Sequence, residues 1–190
     1  MRKLNTLKLD IKYSYNKNDE VLLSDLFGQI GFKIPSDYLK VIKEIGAFYI
    51  ESSVMVRSNS NVPGVSKGNY ISIGRFLDWT LKGDHSIRKI MYMYSDQLPD
   101  RFIPFAEGCS GDFYGFSVKN DGTYFISYWY HESILNQQIH LVADDFPSFI
   151  MAISENANQN FTSNDSSVDQ HTTPPKMIEL LKKTGKWKGD

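Results

Sequence analysis

Gly108-Cys109-Ser110-Gly111-Asp112 sets the chain's single cysteine in a glycine-flanked loop. That composition superficially matches the nucleophile loop of a chymotrypsin-like cysteine protease, where glycines let the backbone form an oxyanion hole beside the thiolate. The base would have to be His85, 24 positions upstream, whereas that protease fold places a whole barrel between base and nucleophile. The sequence favours the simpler alternative, a glycine-rich turn feeding a strand, with Cys109 as a small buried or half-buried side chain. His131-Glu132, His140, Asp144 and Asp145 are the other residues that could do chemistry. No histidine pair among them has the i, i+4 spacing of helical metal ligands. Surface or strand-end histidines and helix-capping acids account for them, with the acid not used as a cap left to touch a partner. No catalytic residue, cofactor or metal is expected, and therefore no enzyme.

The elements that position these residues follow from periodicity and turn chemistry. Leu7 to Tyr15 alternates as a strand with one wet face. Glu20 to Gly28 is a short helical pattern with a partial apolar face. Pro35, Ser36 and Asp37 open a stronger helix whose Tyr38, Leu39, Ile42 and Ile45 recur at helical spacing, and Gly46 ends it. Ala47 to Arg57 predicts a strand, or two broken near Ser52-Ser53, followed by a polar loop from Ser58 to Asn69. Ile71 to Gly74 is a short strand, and Ile87, Ile90, Met91 and Tyr94 mark another helix. Asn120-Asp121-Gly122 is a hairpin signal between strands Phe113 to Lys119 and Thr123 to His131. Ile139 to Ala143 adds a strand, and Asp144 or Asp145 caps a helix that buries Phe146, Phe149, Ile150 and Ile153.

A chain of 190 residues, 41% hydrophobic and 14% aromatic, can bury one sizeable core. No apolar run is long enough to span a membrane, and the first residues form no apolar leader segment, which with a lone cysteine predicts a cytoplasmic protein. The formal charge of −1 pulls toward neither nucleic acid nor membrane. Its distribution is uneven. Asp96, Asp100, Glu107, Asp112, Asp121, Glu132, Asp144 and Asp145 face only Arg101 and Lys119 across the middle of the chain, while both ends are lysine-rich. The row Tyr124, Phe125, Tyr128, Trp129, Tyr130 makes both faces of its strand aromatic. One face packs under helices, and the other is covered either by a partner or by a second layer such as the C-terminal tail. Local acidity argues against RNA on those rings.

These residues resemble the SUKH superfamily, named for the yeast cell-wall assembly regulator Smi/Knr. The resemblance runs from about Leu26 to Ile153. It is carried by Ile34-Pro35-Ser36-Asp37-Tyr38 with Ile45-Gly46, by Leu98-Pro99-Asp100-Arg101-Phe102-Ile103-Pro104-Phe105-Ala106 before Ser110-Gly111-Asp112, and by Val142-Ala143-Asp144-Asp145-Phe146-Pro147-Ser148-Phe149. Ala47 departs from the pattern, where relatives place Gly or Asn. The resemblance implies a single α+β domain with a mainly antiparallel meander sheet and helices packed on one side. It also implies a non-enzymatic protein-binding role: in bacteria, immunity against a cognate toxin domain, in some cases a basic nuclease. A regulatory or scaffold module is the alternative, and a hydrolase using Cys109 a remote one. The expected organisation is an N-terminal extension over 1–20, the SUKH-like domain over 21–155, a polar linker over 156–175 and a basic amphipathic tail over 176–190. The expected partner is a protein, with neither nucleic acid nor membrane involved. Its expected contacts are Tyr92, Tyr94, Asp96, Asp112, Tyr114, Tyr128, Tyr130, Glu132 and Asp145.

Overall fold

Pro35 adopts φ −61°, ψ 130° ahead of α2 (Ser36–Ile45), where its missing N–H costs nothing, and Asp37 puts a negative charge in the first turn. Tyr38, Val41 and Ile42 then point inward, and Gly46 ends the helix at φ 90°. The computed structural model describes residues 9–13, 17–62, 69–79, 83, 85–108, 111–133 and 138–155. The expected linker and basic tail, and Cys109 itself, lie outside those residues. Before α2 come β1 (Leu9–Tyr13) and α1 (Lys17–Gln29). After it come β2 (Ala47–Arg57), β3 (Tyr70–Phe76), α3 (Ile87–Met93), β4 (Phe102–Glu107), β5 (Phe113–Val118), β6 (Tyr124–Trp129), β7 (Ile139–Ala143), α4 (Phe146–Ala152) and β8 (Ile153–Glu155).

The strands form one antiparallel sheet in the order β1-β2-β3-β4-β5-β6-β7, with β8 added to β2. On one edge of β2, β1 takes Ala47–Ile50 and β8 takes Val54–Val56. β2 is unbroken at Ser52-Ser53; its register with β3 instead slips between Tyr49 and Val54. Past its end, the Asn59 and Ser60 amides donate to the carbonyls of Val142 and Leu141 at 3.0 and 3.1 Å. The Ser58 and Ser60 hydroxyls also donate to Leu141. The sheet therefore curls until the end of β2 meets β7, which shields part of that strand's edge.

The core is aromatic and lies mostly under α1, α2 and α4. Phe27 of α1, Tyr38 of α2 and Phe146 of α4 all pack on Phe116, with ring centroids 6.0, 5.2 and 6.1 Å away. Phe105 reaches the same cluster because β4 bulges there, the pairing passing from Pro104 with Gly115 to Ala106 with Tyr114. Three helices thus lie on one face, as the pattern predicts. The other face is covered at one end by the turn that closes α3, where Tyr94 packs edge-on against Phe113 and Trp129 at 5.3 and 5.7 Å. Among the described residues, the end of α3 supplies that layer.

Gly115 is fixed by the same packing. A Cβ there would stand 2.3 Å from Phe102 Cζ and 2.7 Å from the Ile103 carbonyl oxygen, closer than side chain and backbone can yield together. Gly115→Ala should lower unfolding stability by about 2 kcal/mol, the range of overpacked cores. Chemical denaturation checks this, and a wild-type midpoint would mean that the Phe102 ring moves aside without cost.

Candidate functional site

The β5-β6 hairpin turns on Asn120-Asp121-Gly122, with Gly122 at φ 82° and the Asp121 carboxylate accepting from both the amide and hydroxyl of Thr123. Those two bonds hold the Asp121 carboxyl below the usual carboxylate range. The register that follows pairs Phe113 with Trp129, which brings Asp112 beside the chain leaving β6. Asp112 is buried. Its Oδ1 accepts the His131 backbone N–H at 3.1 Å and the His131 ring Nδ1–H at 2.5 Å, and its Oδ2 accepts the Tyr128 hydroxyl at 2.7 Å. An ionised carboxylate only accepts, so Nδ1 carries the proton, and in the neutral ring Nε2 is left with its lone pair.

Nε2 lies 3.8 Å from Glu132 Oε1, on a side chain that is 67% exposed. Tyr130 donates its hydroxyl to Glu132 Oε2 at 3.1 Å. Lost hydration, and then the Glu132 and Asp112 carboxylates, hold this phenol above its ordinary range. Tyr94 joins the same end of the sheet through Phe113 and Trp129. Its hydroxyl oxygen is 3.7 Å from where a Cβ on Gly111 would stand, and Asp96 is exposed two positions further on. Tyr94, Tyr130, His131 and Glu132 are thereby gathered at one end of the sheet around the buried Phe113 and Trp129 rings, with Asp96 exposed two positions beyond Tyr94.

The expected contact set therefore divides. Tyr94, Asp96, Tyr130 and Glu132 remain available. Tyr114, Tyr128 and Asp112 are fully buried, which corrects their expected place on a contact surface. Tyr114 donates to the Ile71 and Ser72 carbonyls at 3.1 and 3.0 Å, and its ring lies 4.9 Å from that of Tyr128 on the helix-covered face. Alternation separates the two faces of β6 but does not say which one the helices cover. Asp145 caps α4, accepting the Ser148 amide at 2.7 Å, and acts on Tyr124 at the far end of β6, about 17 Å from Trp129 at strand rise. The structure does not bring it to the Tyr94 end of the sheet. Tyr92 is 81% exposed, but it shares a groove with Arg88 and Lys89, so its surroundings are basic.

Burial and pairing take two acids out of the acidic surface, since Asp112 is enclosed and Glu107 pairs with Arg75; Asp121 and Asp145 stay exposed while holding a turn and a helix start. The role of His131 was missed as a pairing because His131 and Asp112 are 19 apart in sequence. The hairpin turn at Gly122 is the signal that sets the two side by side. Among the described residues, no cluster of three His, Cys, Asp or Glu could hold a metal, and no helix is long and apolar enough to cross a membrane.

The same motifs can be compared with known proteins. The family model for the SMI1-KNR4 cell-wall proteins, SUKH_6, matches residues 22–150, from α1 to α4. The chain belongs to this family. The SPbeta prophage-derived uncharacterized protein YokK of Bacillus subtilis (strain 168) is 28% identical over 151 residues, 74% of this chain and 76% of that one. SUKH domains are typically non-enzymatic immunity or binding modules, and the family together with a prophage relative fits an immunity-like module with a protein partner.

Proposed function

We propose that this SUKH protein is an immunity protein that binds a cognate toxin domain and occludes its active site or an adjoining surface. The rim of Tyr94, Asp96, Tyr130, His131 and Glu132 is the contact surface. The observation that supports this reading is the buried Asp112 carboxylate, which holds His131 in place beside the exposed Glu132, with no lysine or arginine paired to either carboxylate among the described residues. Such a surface steers toward a basic partner and penalises an acidic one. The prophage-derived relative supports the same reading. Co-purification with the product of the neighbouring gene, and protection of cells expressing it, test the proposal. Absence of both sinks it.

Charge reversal gives the site its own test. Asp96→Lys with Glu132→Lys should slow association about tenfold at low salt and flatten its salt dependence, while dissociation changes less. Stopped-flow mixing at two ionic strengths reads both quantities. Unchanged association kinetics would move the interface elsewhere.

A further inference from the structure

α3 turns Ile87 and Ile90 inward, and the turn after it lays Tyr94 on Phe113 and Trp129. The opposite side of this segment carries Arg88, Tyr92 and Asp96, four positions apart and all exposed. Its helical course carries on past Met93, since the Tyr94 amide donates to the Ile90 carbonyl and the Leu98 amide to the Tyr94 carbonyl, at 3.0 and 2.8 Å. Positions i, i+4 and i+8 therefore make one stripe, basic at its start, aromatic at its centre and acidic at its end. We propose that this stripe is an interface for a second copy of the chain, paired antiparallel about a two-fold axis through Tyr92.

Three observations select that occupant. Arg88 and Asp96 stand symmetrically about Tyr92, each about 6 Å along the stripe at helical rise. An antiparallel pair therefore sets each copy's Arg88 against the other's Asp96, whereas a parallel pair would oppose like charges at both positions. Second, neither Arg88 nor Asp96 has a salt-bridge partner among the described residues, so both charges are available. Third, Tyr92 at 81% is the most exposed large apolar side chain among the described residues, and Met93 beside it is 56% exposed. A tyrosine ring supplies a large contact area with few rotatable bonds to freeze. The groove of about 410 Å³ on the N-terminal side of Tyr92 is lined by Ser86, Arg88 and Lys89 and by no carboxylate among the described residues. The two-fold lays the other copy's Met93 and Asp96 over it. A stripe of this length buries less than the roughly 1,200 Å² at which stable interfaces begin, so the pair is weak and concentration-dependent. The pairing does not rest on the immunity reading, but it bears on it. Asp96 also lies on the toxin-facing rim, so a paired copy offers that rim without Asp96, and self-association and toxin binding compete.

Sedimentation equilibrium of the full chain, from about 10 to about 500 µM, tests the pairing. The expected result is a monomer–dimer equilibrium with a dissociation constant of about 10⁻⁴ M at low ionic strength, about tenfold weaker in about 0.5 M salt. Arg88→Asp alone and Asp96→Arg alone each set two like-charge pairs across the axis and should weaken it about tenfold or more. Arg88→Asp combined with Asp96→Arg makes the stripe self-complementary again and should return the constant to within about threefold of wild type. Tyr92→Ser leaves the charges alone and should also weaken pairing about tenfold. All three side chains are exposed, so circular dichroism should report the wild-type fold in every variant, and Tyr92→Ser gives the reading if a charge variant does not fold. A monomer at every concentration, single reversals that associate like wild type, or a folded double exchange that stays monomeric overturns the proposal. None of these measurements involves a toxin, so their failure leaves the immunity reading standing. A dimer that ignores the neighbouring gene's product removes the immunity reading alone.

Discussion

Phe116→Ala should lose about 4 kcal/mol of stability, within the range for truncating a buried phenylalanine. Its ring is fully buried and sits against Phe27, Phe32, Tyr38, Phe105, Tyr124 and Phe146, at centroid distances from 4.8 to 6.1 Å. Those neighbours come from three helices, two strands and the connection between α1 and α2, so no single element can shift inward to refill the space, and the cavity term is kept in full. Urea denaturation should show a midpoint displaced far below wild type with an unchanged slope, because the surface exposed on unfolding is the same. Val21→Ala, on an exposed side chain of α1, should stay within about 0.5 kcal/mol of wild type. A loss below about 1 kcal/mol at Phe116 would mean that α1, α2 and α4 are not held together by this ring.

Elements whose signals are local were legible in the sequence. Pro35 and Gly46 bracket α2, Asp145 caps α4, and Asn120-Asp121-Gly122 turns the β5-β6 hairpin. Elements defined by distant partners were not. Phe102–Glu107 holds a proline and follows another, which reads as turn chemistry. Pro104 nevertheless sits within β4, just ahead of the bulge that re-aims Phe105 into the core. β8 is three residues long and is a strand only because the edge of β2 is open beside it, so Ile153 leaves the helix in which its apolar character placed it. The residues Ser58 to Ser60 look like loop, yet they close the curl of the sheet against β7.

The site was half legible for a related reason. Counting acids and aromatics picked out residues that the fold gathers at one end of the sheet, Tyr94, Tyr130 and Glu132 among them. It could not weigh burial. Tyr114, Tyr128 and Asp112 have the same composition as surface contacts and differ only in lying under α4 or behind the hairpin. The pairing of Arg75 with Tyr49 and Glu107 was illegible for the same reason, since those partners lie 26 and 32 positions away.

Asp112→Ala is the substitution that separates support from contact. Removing this carboxylate takes away the acceptor shared by the Tyr128 hydroxyl and the His131 amide and ring N–H, and should cost about 3 kcal/mol. Asp112→Asn keeps the shape and one acceptor oxygen, so it should stay folded with a loss nearer 1 kcal/mol. The amide has one acceptor oxygen for donors that used two, so in the rotamer that serves Tyr128 its nitrogen donates to the His131 ring and favours the Nε2–H tautomer. His131 should then lose its fixed Nδ1–H form, visible in the ring ¹⁵N shifts, and partner affinity should fall about tenfold although Asp112 itself touches no partner. A folded Asn variant with wild-type affinity would reduce Asp112 to a hairpin brace and leave Glu132 and Asp96 to carry recognition. A fall in affinity that tracks the tautomer, reproduced by His131→Ala with little change in stability, would establish that the acceptor orientation of His131 is what the partner recognises.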